Sequence, residues 1–166
     1  MNMINKINFL FVTLFGIGKI KIIPGTFGSL ATALLLFFLF HIFKISPNII
    51  LFTIIAIFFI SFFAVNAFIK DLTNKDPKEV VIDEFIGQSI PLYLYEVSHN
   101  TPKESADVLK FYFIIFILFR IFDIVKPFPA NYFDKNFKNS FGVIMDDAVA
   151  GLYVVLVLVL YMTIVT

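Results

Sequence analysis

The chain has 166 residues, of which 60% are hydrophobic and 15% charged, with 24 Phe, no Cys and a formal net charge of +1. A soluble domain is nearer half apolar and a quarter charged, so the composition excludes an ordinary soluble protein and points to one membrane-embedded domain, residues 1–166. The near-neutral charge excludes the basic surface of a nucleic-acid binder, and the lack of Cys excludes disulfides, a thiolate nucleophile and Cys-ligated zinc.

The chain opens with MNMINKINFLFVTLF, which holds one Lys and a short apolar run. It lacks a small-residue cleavage site and is not expected to be a signal peptide. Next, PGTFGS (Pro24 to Ser29) leads into the first apolar run, Ser29 to Phe43. Thr26 and Ser29 read either as helix caps or, with the free N–H groups of a helix start, as an anion pocket. The second run, Ile49 to Ile69, comfortably reaches the roughly 20 residues that cross a bilayer. Phe85 to Tyr95 is short and interrupted by Gly87, Gln88, Ser89 and Pro91. It is expected either to cross as a broken helix or to dip in and return. Ser29 to Phe43, Phe111 to Val125 and Ala148 to Val165 are short spans, so local bilayer thinning or partial burial among neighbours is expected. The expected fold is all-α: an integral membrane helical bundle with four clear apolar helices plus one short broken or re-entrant segment.

Lysines set the expected orientation. If Phe85–Tyr95 crosses, the N-terminal arm, the 70–84 loop and the 126–147 loop share one side. That side carries Lys6, Lys19, Lys21, Lys70, Lys75, Lys78, Lys126, Lys135 and Lys138, against Lys44, Lys103 and Lys110 on the other. The bias places the first set in the cytoplasm, giving five crossings with the N-terminus in and the C-terminus out.

Under that topology four polar clusters meet at the cytoplasmic ends of the helices: PGTFGS, VVIDEFIG with Asp83 and Glu84, FRIFDIVKPFP with Arg120, Asp123 and Lys126, and the stretch holding Asp134, Asp146 and Asp147. Adjacent residues diverge on a helix by about 100°, so at most one of Asp83 and Glu84 is expected to face a shared centre. Arg120, Asp123 and Lys126 stand at i, i+3 and i+6 on one face. They read equally as an inward functional face or as a salt bridge with a snorkelling lysine. Acids ahead of the last run suit a helix dipole, while Ala148, Ala150 and Gly151 would let a neighbouring helix approach closely. Massed carboxylates repel unless a cation neutralises them. Mg²⁺ takes oxygen ligands, commonly one or two carboxylates plus phosphate and water, and Arg120 and Lys126 suit phosphate. His41 and His99 fall on the far side, which disfavours phosphohistidine or His–zinc chemistry.

The motifs GIGKIKIIPGTFGSL, VVIDEFIG, FRIFDIVKPFP and FGVIMDDAVAGLY, in this order from Gly16 to Tyr153, resemble those of the phosphatidylglycerophosphatase A family. Lys21 stands where that family usually has Pro, Asn139 and Ser140 replace a glycine pair, and Lys135 replaces an Arg. The resemblance implies a multi-pass enzyme of the bacterial inner (cytoplasmic) membrane with its active site facing the cytoplasm. The implied reaction is Mg²⁺-dependent hydrolysis of the phospholipid phosphatidylglycerophosphate to phosphatidylglycerol and inorganic phosphate. The expected metal site is Asp83, Glu84, Asp123, Asp146 and Asp147, with Asp134 a weaker candidate. Arg120 and Lys126 are expected to bind phosphate and Thr26 and Ser29 to line its pocket. Rival readings are a small transporter with acids along a path and a non-catalytic subunit with structural salt bridges.

Overall fold

A computed structural model describes residues 3–98 and 105–165. His99 and Lys103 lie outside the described residues. Those described form helices and no strands: α1 (Met3–Val12), α2 (Pro24–Phe37), α3 (Pro47–Ile69), α4 (Ile82–Ser98), α5 (Ser105–Val125), α6 (Ala130–Asn136) and α7 (Ser140–Val165).

Local chemistry explains where the helices begin. Ile23 adopts a left-handed backbone (φ 46) and Pro24 opens α2 at its first position, where a missing N–H costs nothing. Neither Thr26 nor Ser29 caps this helix: the Ser29 hydroxyl donates back to the Gly25 carbonyl at 2.9 Å. The α-helix passes into a π-helical turn, Phe38–Ile42. Asn139 caps α7, its Oδ1 accepting from the N–H groups of Phe141 (3.0 Å) and Gly142 (3.2 Å). The last helix therefore starts eight residues before the apolar run that marks it in the sequence. Asp146 and Asp147 lie within its second turn, where a helix dipole has largely faded. By contrast, Asp83 and Glu84 sit in the first turn of α4, as the dipole favours.

Among the described residues three helical stretches are long and apolar enough to cross a membrane: Pro24–Ile42, Pro47–Ile69 and Ser140–Ile164. The expectation of four clear apolar helices reduces to these. The 21-residue α5 is long enough but carries Asp107, Lys110, Arg120 and Asp123. The interrupted segment is not broken. It forms the continuous 17-residue α4, with Pro91 inside it. Its first turn places Asp83 in a polar cavity, and the helix reaches Glu96, whose Oε1 lies 2.9 Å from His41 Nε2 in the π-helical turn that follows α2. Next, α5 returns the chain to Asp123 in the same cavity. So α4 and α5 form an out-and-back pair along the bundle.

Small residues set the central packing. A Cβ on Gly151 of α7 would collide with the Gly87 carbonyl oxygen of α4, and one on Gly87 would sit 2.6 Å from the Phe119 ring of α5. Backbones come this close only where side chains are absent. Around the seam lie two apolar clusters. One, with Leu36, Leu92, Ile115 and Phe119, fills the half farther from the cavity. The other, with Val65, Ile69, Ile82, Ile86 and Ile144, underlies it. The outer face of α3 exposes Phe52, Phe59, Ile60 and Phe63, as a lipid-facing helix should. Its hydroxyls are spent internally: Thr53 donates to the Ile49 carbonyl at 2.8 Å and Ser61 to that of Ile57 at 2.7 Å. The Val81 N–H donates to the Val12 carbonyl at 3.0 Å, fastening α1 to the segment that leads into α4.

Candidate functional site

Four helix ends and two connecting segments enclose one polar cavity of about 460 Å³. Its walls include Gly25 and Thr26 of α2, Asp83 and Glu84 of α4, Arg120 and Asp123 of α5, Lys126 and, from α7, Asp146 and Asp147. Ser29 is fully buried and is not part of the wall. Asp134, on α6, also stands outside it.

The acids divide into two groups. Asp83, Glu84 and Asp147 each turn an oxygen toward the others, all within 4.8 Å. Asp83 Oδ1 and Glu84 Oε2 are buried without a hydrogen-bond partner. Buried polar atoms are normally partnered, and like charges this close repel. An all-oxygen donor set with unsatisfied atoms fits a hard divalent cation such as Mg²⁺. Gly25 makes room for the Glu84 carboxylate: a Cβ there would collide with Glu84 Oε1. The expectation that only one of Asp83 and Glu84 faces the centre fails. Their Cα–Cβ bonds diverge, but Asp147 and Gly25 close around the first turn of α4 and both carboxylates reach inward.

Asp123 and Asp146 are instead engaged by cations. Arg120 Nη1 lies 2.6 Å from Asp123 Oδ2. It also donates to Ser29 Oγ at 3.3 Å, so Ser29 positions the guanidinium from behind the wall. Lys126 Nζ donates to Asp146 Oδ2 and, at 3.3 Å, to Asp134 Oδ1. Burial alone would lower the Lys126 pKa. Asp146, through charge and hydrogen bond, and then Asp147 and Asp134 outweigh it and hold the ammonium above the ordinary lysine value. Lys126 also turns the chain out of α5 with a left-handed backbone (φ 46) just before Pro127. The Tyr153 hydroxyl donates to the Phe128 carbonyl and pins the departing segment to α7.

The sequence reading passed over several wall residues. Lys21, Asn74, Asp76 and Lys78 line the cavity from the segments before α2 and α4. For Asn74, Asp76 and Lys78 the signal was the polar stretch TNKDPKE, read only as a loop; Lys21 lies in GIGKIKIIPGTFGSL. Gln88 is also missed: it is fully buried, and neither of its amide atoms has a partner. It stands one turn beyond Glu84 on the same face of α4, a polar residue in a run otherwise read as interrupted hydrophobics.

In comparisons with known proteins, the family model described as phosphatidylglycerophosphatase A matches residues 10–162. A Haemophilus influenzae protein named phosphatidylglycerophosphatase A is 35% identical over 94% of this chain and 88% of its own length. An Escherichia coli protein of the same name is 30% identical over 82% of this chain and 73% of its own length. A Bacteroides thetaiotaomicron protein, named provisionally as a phosphatidylinositol-3-phosphatase, is 37% identical over 84% of this chain and 83% of its own length. No solved structure matches the chain.

Proposed function

The chain belongs to the phosphatidylglycerophosphatase A family of phosphatases, and from that premise we propose that it hydrolyses phosphatidylglycerophosphate to phosphatidylglycerol and inorganic phosphate. The observation that carries the reading is the gathering of Asp83, Glu84 and Asp147, with unpartnered oxygens, in one cavity beside two charge-paired cations. Water is consumed, the bond between phosphorus and the glycerol oxygen breaks, and the glycerol hydroxyl leaves protonated.

Asp83, Glu84 and Asp147 would hold Mg²⁺. Once bound, the ion supplies Lewis-acid polarisation of a phosphoryl oxygen and offsets the negative charge that substrate brings. Arg120 and Lys126 orient the phosphoryl group and stabilise charge on it, while Asp123 and Asp146 hold these cations in place. Ser29 fixes the Arg120 guanidinium, and Thr26 lines the mouth at the start of α2. The lysine bias and the out-and-back path of α4 and α5 support five crossings with this cavity at the cytoplasmic leaflet of the bacterial inner membrane. Because the chain has no Cys, single cysteines at Lys138 and Lys44 report sidedness directly. Lys138 is expected to resist a membrane-impermeant reagent in intact cells and Lys44 to react.

Purified protein should release phosphate from phosphatidylglycerophosphate with Mg²⁺ and lose that activity with chelator. Release that survives chelator would overturn the metal assignment, and no release under any condition would overturn the substrate. The Bacteroides relative favours a second reading, a phosphomonoester on an inositol headgroup. Phosphatidylinositol 3-phosphate in the same assay distinguishes the two.

A further inference from the structure

The cations nearest the acids are already engaged: Arg120 by Asp123, and Lys126 by Asp146 and Asp134. Lys19 lies 4.8 Å from the Phe9 ring centroid, and Lys75 donates to the Ile69 and Lys70 carbonyls. Among the described residues Lys21 and Lys78 have neither an ion pair nor a hydrogen bond. Both line the polar cavity, and both also line an adjoining groove of about 750 Å³. The apolar side chains of that groove include Phe9, Phe68 and Leu72, beside the polar Lys19, Thr73, Asn74 and Glu79. Lys21 and Lys78 therefore stand where the acid-lined cavity meets a groove that carries apolar side chains.

We infer that Lys21 and Lys78 form a second anion subsite, which takes the phosphodiester of the lipid substrate while its phosphomonoester lies at the acid cluster. This rests on the proposed hydrolysis of a lipid phosphomonoester. A lipid carrying a terminal monoester, a polyol, a diester and acyl chains has a second anion and hydrocarbon to place beyond its monoester, and the two shared lysines and the apolar side chains of the groove offer partners for both. Two ammonium groups without protein partners offer charge-assisted hydrogen bonds to the diester oxygens. A phosphomonoester joined directly to diacylglycerol has nothing to place there, so the lysines would select for lipids bearing a second phosphate.

The test uses the full chain and dihexanoyl lipids below their micelle concentration, so that attraction to a lipid surface plays no part. A Lys21→Ala/Lys78→Ala variant should raise KM for dihexanoyl phosphatidylglycerophosphate about tenfold and leave kcat within about twofold, as expected for loss of uniform binding. Inhibition by dihexanoyl phosphatidylglycerol, which keeps the diester, should weaken by about the same factor. Inhibition by inorganic phosphate, which reports the acid cluster, should not change. The Lys21→Arg/Lys78→Arg variant should keep the wild-type KM. An unchanged KM, or an equal weakening of inhibition by inorganic phosphate, overturns the subsite. No release by the wild-type protein overturns the proposed function and the subsite with it.

Discussion

The two ends of the bundle treat charge in opposite ways. At the far end His41 meets Glu96 at 2.9 Å, and Phe37 and Tyr112 pack on the imidazole. At the cavity end six carboxylates and four cations line one space, and Asp83 and Glu84 each leave a buried oxygen without a partner. An ion pair packed between aromatic rings is what helix packing alone calls for. An excess of acids, held together by the Gly87–Gly151 seam, adds repulsion to the fold and makes sense only if a ligand offsets it. The difference separates a structural polar cluster from a functional one without reference to any relative.

Substitutions at the two ends should therefore separate activity from stability. The largest effect is expected for Asp147→Asn, which removes one arm of the acid triad: about 4 kcal/mol of transition-state stabilisation, or about a thousandfold in kcat, with the melting temperature held or raised as repulsion falls. Phosphate release and a thermal melt in detergent check both halves. Arg120→Ala strands Asp123 and should cost about 3 kcal/mol of stability as well as activity, with Arg120→Lys recovering stability better than turnover because the charge opposite Asp123 is kept while the planar guanidinium is lost. Gly151→Ala drives a methyl group into the Gly87 carbonyl and should cost about 2 kcal/mol, read from the melt, with any lost turnover tracking lost folded protein. The smallest effect belongs to the far end: Glu96→Gln should cost about 1 kcal/mol and leave kcat/KM unchanged. A large loss of turnover in Glu96→Gln would dissolve the contrast between the ends.

Much of this contrast is written in the sequence. The hydrophobic runs place α2, α3 and α7, and the lysine bias brings the four polar clusters to one side before any coordinates are considered. Hydropathy gives the buried middle of a helix but not its ends. Residues 140–147 of α7 are polar or mixed, yet helical because Asn139 caps them. Gly87, Gln88, Ser89 and Pro91 look like breaks in α4, but Gly87 is the packing surface for α7 and Pro91 is accommodated within a continuous helix. At the site, residue type and position within a helix lead to the acids. Which acids remain unpaired depends on contacts between Arg120 and Asp123 and between Lys126 and Asp146, and pairings between helices leave no period in a sequence. Lys21 and Lys78 are visible only once two loops are placed side by side.

The central claim is that Asp83, Glu84 and Asp147 hold a divalent cation that Asp123 and Asp146, engaged by Arg120 and Lys126, do not need to bind. Titration of Mn²⁺ followed by electron paramagnetic resonance measures this without any lipid. Wild-type protein should bind Mn²⁺ in competition with Mg²⁺, and Asp147→Asn should weaken binding at least about tenfold, while Glu96→Gln binds as the wild type does. Equal Mn²⁺ affinity in wild type and a folded Asp147→Asn variant would contradict the account.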